Sequence, residues 1–180
     1  MNLRKMNAVL SLIVTVLLME HAIFYSVWML TRGGIAKTGG PTPLLLVVLM
    51  VLHAVLSLLM AVLAHKGTEK HTHKTYVKLN VKTMIQRMSG LAMLLLLALH
   101  IIGANNHFQP KFFHAVAHPL FFAAVLAHTA VSGSKAFITL GVGNVSFVKI
   151  LDKLLAVVCG VTFLAGVVGF YLCLFKGVVR

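Results

Sequence analysis

The stretch Gln86–His100 reads Q-R-M-S-G-L-A-M-L-L-L-L-A-L-H, an apolar run that begins at a polar pair and ends at a histidine. The same layout occurs at Asn7–His21, N-A-V-L-S-L-I-V-T-V-L-L-M-E-H, at an offset of 79 residues (7 to 86 and 21 to 100). Two further histidines have similar surroundings, His53 in L-H-A-V-L-S and His128 in A-H-T-A-V-S. Four successive apolar segments therefore each carry a histidine, and the directions of these segments decide which histidines meet.

The composition places these segments in a membrane. Of 180 residues, 59% are hydrophobic, and the charged side chains are 16 Lys or Arg and 3 Asp or Glu. Runs of about 20 apolar residues match the thickness of a bilayer core, where a helix satisfies its own backbone. We predict an all-α integral membrane protein, a single membrane domain over residues 1–180, with five transmembrane helices in an up-down bundle. The predicted helices are approximately Met6–Thr31, Pro43–Ala64, Thr83–Ala104, His114–Ser132 and Val148–Phe175.

The basic residues are unevenly divided between the two ends of these helices. The net charge of +13 would suit nucleic acid, but the charge lies in loops and ends, so we predict no nucleic-acid binding. With five spans, only Arg32, Lys37, Lys111, Lys176 and Arg180 fall on the side opposite the N-terminus. The positive-inside rule then predicts a multi-pass protein of the cell (plasma) membrane, with the N-terminus cytoplasmic and the C-terminus outside. The basic side would also be attracted to the anionic lipid of the bilayer.

The second loop contains a regular series of lysines. They recur every four residues, at positions 66, 70, 74, 78 and 82, which predicts an amphipathic basic helix on the membrane surface or against a partner.

No soluble domain is predicted, so a water-soluble substrate would have to react on another subunit or at a membrane face. Cys159 and Cys173 fall on one predicted helix about 21 Å apart, and no C-x-x-C motif occurs, which excludes covalent haem attachment.

The depths of the four histidines predict two pairs. Helices 1 and 3 run outward and place His21 and His100 in the outer half, whereas helices 2 and 4 run inward and place His53 and His128 nearer the cytoplasm. A six-coordinate haem iron held by two imidazoles needs one histidine from each of two facing helices. A single histidine on an apolar face is more often a core residue. Four in consecutive helices at matched depths favour axial ligation of an outer haem b by His21 and His100 and of an inner haem b by His53 and His128.

Further side chains of helices 3 and 4 are candidates for contact with these haems. Arg87 could extend to the membrane interface or pair with a haem propionate. Ser89 and Gly90 could serve close helix packing or the passage of a flat macrocycle. His118 lies ten residues before His128, about 15 Å along the helix, and we predict that it contacts the outer haem.

The last helix contains no histidine. Its small residues Gly160, Ala165, Gly166 and Gly169 predict a packing face against the other helices.

At these residues the chain resembles a known family. Four parts of the chain resemble the dihaem cytochrome b subunit of succinate:quinone oxidoreductases. They are the segment I-Q-R-M-S-G-L-A-M-L-L-L-L-A-L-H ending at His100, L-H-A-V-L-S-L at His53, the segment around His128 and the spacing before His21. These subunits anchor fumarate reductases and succinate dehydrogenases in the membrane. The resemblance implies that the first four helices enclose two haems b, helix 1 pairing with helix 3 and helix 2 with helix 4. It further implies flavoprotein and iron–sulfur subunits on the cytoplasmic face, electron exchange with menaquinone or another quinone near the outer haem, and leaves a homodimer of the complex open.

The chain departs from this family in its acidic residues. Some dihaem relatives carry an acid two positions before the helix 4 ligand, where this chain has Leu126, and some carry a quinol-site carboxylate in the first loop, which here contains no acid. Glu20, beside His21, is the one acid within the predicted outer half. We hypothesise that Glu20 exchanges quinol protons as the catalytic residue of a quinone-reactive subunit. The alternative is that it pairs with a basic group.

Two other functions are compatible with the pattern. The chain could anchor a different flavoprotein reductase, a hydrogenase or a formate dehydrogenase with the same two haems. It could instead be a haem-free transporter or structural anchor that uses its histidines for metal or protons, although transport sites usually include broken helices or buried acids. In either haem-based interpretation the chain alone is not a complete enzyme.

Overall fold

The structure is a computed structural model that describes residues 3–31, 43–66, 73–105, 111–142 and 144–175, with side chains for 3–31, 44–63, 83–101, 115–142 and 144–175. The described residues form five helices and no strand. Each helix contains a segment long and apolar enough to cross a membrane, which confirms the predicted all-α architecture with five such helices. The helices are α1 (Leu3–Leu30), α2 (Pro43–Lys66), α3 (His73–Asn105), α4 (Lys111–Leu140) and α5 (Val145–Phe175).

Most helix ends differ from the predicted spans by one to three residues, and the start of α3 and the end of α4 differ by more. Helix α3 begins at His73 rather than Thr83, α4 ends at Leu140 rather than Ser132, and α5 begins at Val145 rather than Val148. The predictions followed apolarity, but helical hydrogen bonding continues past the point where side chains become polar. The basic segment predicted to be a separate helix is, over residues 73–82, continuous with α3; its lysine side chains and the loop residues Arg32 and Lys37 lie outside the described part.

The short connection between α4 and α5 is set by two residues. Gly141 has a φ of 76°, a left-handed conformation that suits glycine at the end of a helix. The N–H groups of Gly141 and Val142 donate to the carbonyls of Ile138 and Phe137, so two terminal carbonyls of α4 are satisfied. The Asn144 side chain then accepts from the Phe147 N–H at 2.9 Å and caps α5.

Helices α1 and α4 are central to the bundle. Helix α4 packs against α1, α3 and α5, and α1 packs against α2, α4 and α5. Following the predicted orientation, the half in which α1 begins is called the inner half and the opposite half the outer half. A buried apolar layer at mid-bundle joins the first four helices. It consists of Val14, Leu18, Leu46, Met50, Met93, Leu97 and Val125.

Helix α5 approaches the bundle closely at two glycines. A Cβ on Gly166 would overlap the ring of Phe122, and one on Gly169 would lie 2.9 Å from the Met29 Cβ. These positions confirm part of the predicted packing face. Gly160 was wrongly included, because a Cβ there would have no described atom within 4 Å.

A proline in α4 creates a hydrogen-bonding deficit that α5 fills. Pro119 has no N–H, so the carbonyl of Ala115, four residues earlier, loses its helical donor. The hydroxyl of Tyr171 on α5 donates to the Ala115 carbonyl oxygen at 3.0 Å. This contact ties the two helices together beside His118, and a bilayer would offer that carbonyl no replacement donor.

Tyr171→Phe should therefore destabilise the bundle by about 1–2 kcal/mol, because it leaves the Ala115 carbonyl without a donor. The measurement is the thermal unfolding midpoint in detergent. In a Pro119→Ala background the backbone regains an N–H for that carbonyl, so removing the hydroxyl should then cost much less. Equal losses in both backgrounds would contradict this account.

Candidate functional site: two levels of histidines

The inner half contains a polar cavity of about 230 Å³. It lies between α1, α2, α3 and α4, and both His53 and His128 line it. On α4 the lining runs from His128 to Thr139, which corresponds to about 16 Å along the axis. The structure thus brings the two histidines predicted for the inner level to one cavity. Its other polar lining residues are Asn7, Ser11, Thr15, Ser57, Gln86, Thr129, Ser132, Lys135 and Thr139.

The His128 ring is held in a defined orientation by α3. Its Nδ1 lies 3.1 Å from the backbone oxygen of Gln86 and 3.2 Å from Oγ of Ser89. A carbonyl oxygen can only accept, so Nδ1 carries the proton in the neutral ring and Nε2 keeps its lone pair. Gly90 leaves room for the ring, since a Cβ there would lie 3.1 Å from His128 Cε1. Ser89 and Gly90, for which close helix packing or haem contact was predicted, both contact this histidine.

His53 faces the same cavity without comparable support. Its Nδ1 atom is buried and has no hydrogen-bond partner among the described residues. One turn further along α2, Ser57 accepts a 3.2 Å hydrogen bond from the Asn7 side chain of α1. The α2 side of the cavity therefore has a fixed polar contact with α1, but this contact does not include the histidine.

Among the described residues that line the inner cavity, Lys135 is a cation that the sequence reasoning did not select as a site residue. Its ammonium group donates to the side-chain oxygen of Gln86, and both residues line the cavity. Arg87, predicted to extend to the membrane interface or to pair with a haem propionate, has an exposed side chain on α3. The adjacent positions 86 and 87 of a helix point about 100° apart, and here Gln86 is the one that lines the cavity. The juxtaposition of Lys135 with Gln86 depends on how α3 packs on α4.

The outer half contains a row of aromatic and imidazole rings. His21 stacks on Tyr25 with ring centroids 5.8 Å apart, Tyr25 lies 6.1 Å from His118, and His118 lies 5.1 Å from His100. Tyr25 and His118 thus stand between the two histidines predicted to form the outer pair. His118 also stacks on Phe170 of α5 at 4.7 Å. The structure brings His21, His100 and His118 into one cluster, in which His118 is the imidazole adjacent to His100.

The repeated sequence layout has a counterpart in these two levels. Asn7 and Gln86, at equivalent positions of the repeat, both line the inner cavity. Their partners at the other end of the repeat, His21 and His100, both belong to the outer cluster. Glu20 is half-buried on α1 beside that cluster. The apolar layer at mid-bundle lies between the levels, whose α4 histidines, His118 and His128, are about 15 Å apart along the helix.

A metal ion bound by protein side chains alone would need a different arrangement. Among the described residues, no group of three or more His, Cys, Asp or Glu side chains is placed to hold one. Axial ligation of a haem requires only two imidazoles, one on each side of the macrocycle. Comparisons of the chain with protein-family models, with curated proteins and with solved structures found no match.

Proposed function

We propose that this chain is a membrane cytochrome b subunit that relays electrons across the bilayer. It would link menaquinone or another quinone to flavoprotein and iron–sulfur subunits on the cytoplasmic face, as in a fumarate reductase or succinate dehydrogenase. The observation that supports this most is the inner cavity. Two imidazoles from non-adjacent helices share it, and one already has its Nδ1 engaged and its Nε2 available.

The residues of the inner level fit a haem in three respects. His53 and His128 would supply the axial nitrogens, and a ligating histidine ordinarily donates its other N–H to a carbonyl, as His128 does to Gln86. Lys135, toward the inner end of the same cavity, would pair with the propionate carboxylates. Hydroxyl groups such as those of Ser11 and Ser132 would serve the remaining polar edge.

The size of the cavity implies that binding changes the bundle. Its volume of about 230 Å³ is below the roughly 300–1,000 Å³ of ordinary small-molecule sites. A macrocycle would therefore separate the helices that surround it. Helix α2 is the one expected to move, because its extensive packing is against α1, whereas α4 packs on three neighbours.

The outer level would hold the second haem between His21 and His100, and binding there would displace Tyr25 and His118 from between them. Bound haem supplies one-electron transfer, and a two-electron quinol is therefore handled in two steps. The chain contributes ligation, orientation and a water-poor layer between the levels. Glu20, beside the outer cluster, would receive or return the quinol protons.

The decisive experiment is a reduced-minus-oxidised visible spectrum of the purified protein with haem quantified per chain. We expect about two low-spin b haems for each chain, because the four histidines form two levels. Absence of haem after expression in a haem-replete host would contradict the proposal. The histidines and the polar cavity would then be assigned to proton or metal transport or to packing.

A further inference from the structure

The two histidines of the inner cavity differ in their hydrogen bonding: Nδ1 of His128 contacts α3, whereas Nδ1 of His53 has no partner among the described residues. We propose that His128 is the permanent ligand of the inner haem and His53 the replaceable one. A small neutral ligand from solution, such as carbon monoxide or imidazole, could then occupy the coordination position of His53. This inference rests on the proposed function, since it concerns the haem that the inner cavity would hold.

The His128 side chain is organised before any cofactor binds. The Gln86 carbonyl and the Ser89 hydroxyl both contact Nδ1, and Ser89 also donates to the Gln86 carbonyl at 3.2 Å. Such outer contacts set the tautomer of a ligating histidine and raise its basicity, and their loss typically weakens metal binding about 10- to 100-fold. Gly90 adds a steric requirement, because a methyl group there would press on the ring at 3.1 Å. The α3 surface therefore fixes the tautomer and the orientation of this imidazole.

The His53 side chain has the opposite character. Its buried Nδ1 has no described acceptor or donor, so no hydrogen bond sets the tautomer or the rotation of the ring. His53 lies on α2, which packs extensively against α1. His128 lies on α4, which packs against α1, α3 and α5. Both the ring and the helix behind it are thus less constrained on the His53 side, which favours exchange at that ligand.

The test compares His53→Ala with His128→Ala by haem content, spin state and carbon monoxide difference spectra of the reduced proteins. His53→Ala should retain about two haems per chain, one of them high-spin and reactive with carbon monoxide. Added imidazole should return that haem to the low-spin state. His128→Ala should retain about one haem, and this outer haem reports that the bundle has folded.

Ser89→Ala and Ser26→Ala test the same idea with both ligands in place. The first removes a contact to His128 and should weaken inner haem binding about 10-fold. The second removes a buried hydroxyl of α1 that donates to the Ala22 carbonyl and does not line the inner cavity, so it should leave that affinity unchanged. Equal haem loss in the two histidine variants, loss from His53→Ala alone, or no effect of Ser89→Ala would overturn the inference while leaving the cytochrome assignment intact. A wild-type protein without haem would overturn both.

Discussion

Gly169→Ala should lower the stability of the bundle by about 2–3 kcal/mol, the cost expected when a tightly packed contact is overfilled. The added methyl group would lie 2.9 Å from Cβ of Met29 and 3.0 Å from the backbone nitrogen of Leu30. Neither atom can rotate away, because both are fixed to the α1 backbone, so α5 would have to move. Phe170, the next residue, stacks on His118, and the displacement would therefore disturb the outer ring cluster as well.

The matched control is Gly160→Ala on the same helix. A methyl group there meets no described atom within 4 Å, and alanine is the better helix former by about 1 kcal/mol. This variant should be neutral or slightly more stable than the wild type. Thermal midpoints in one detergent would decide the matter. Equal midpoints for the two variants would show that α5 does not approach α1 as the structure describes.

The two glycines also mark a limit of the sequence reasoning. Small residues on an apolar helix correctly indicated close packing, but which of them pack depends on the rotation of the helix about its axis. The buried positions of α5, among them Thr162, Gly166 and Gly169, recur at intervals of three and four. Gly160 is six residues from Gly166, a rotation of about 240°, and therefore lies on a different face. The small residues of α5 indicated that one of its faces packs closely. Deciding which glycines lie on that face required the spacing of the buried positions along the helix.

The number of helices and the two histidine levels could be inferred from sequence because both follow from one-dimensional rules. A bilayer requires spans of about 20 apolar residues, and alternating direction converts position along a span into depth. Contacts between helices could not be inferred in this way. The pairing of Lys135 with Gln86, and of the His128 ring with Ser89 and Gly90, depends on the register of α3 against α4. No local pattern in the sequence specifies that register.

His100→Phe should remove the outer haem and halve the haem content per chain, and His21→Phe should do the same. Phenylalanine keeps a planar ring against the neighbours, Phe121 at 5.0 Å for residue 100 and Tyr25 at 5.8 Å for residue 21, so packing is largely preserved while the ligating nitrogen is lost. The remaining haem should be the inner one, with unchanged low-spin bands. Haem per chain and the visible spectrum of each purified variant are the measurements.

His118→Phe is the informative comparison, because His118 is the imidazole next to His100 in the structure. It should retain both haems, since phenylalanine can still stack on Phe170 and the predicted ligand is His21. If His118→Phe halves the haem content while His21→Phe does not, then His118 is the partner of His100, and pairing histidines by their depth chose the wrong residue.

Glu20→Gln should keep both haems and slow their reduction by quinol about 100-fold if Glu20 accepts the quinol proton. A normal rate would leave Glu20 with a structural role beside His21 and place the proton acceptor elsewhere.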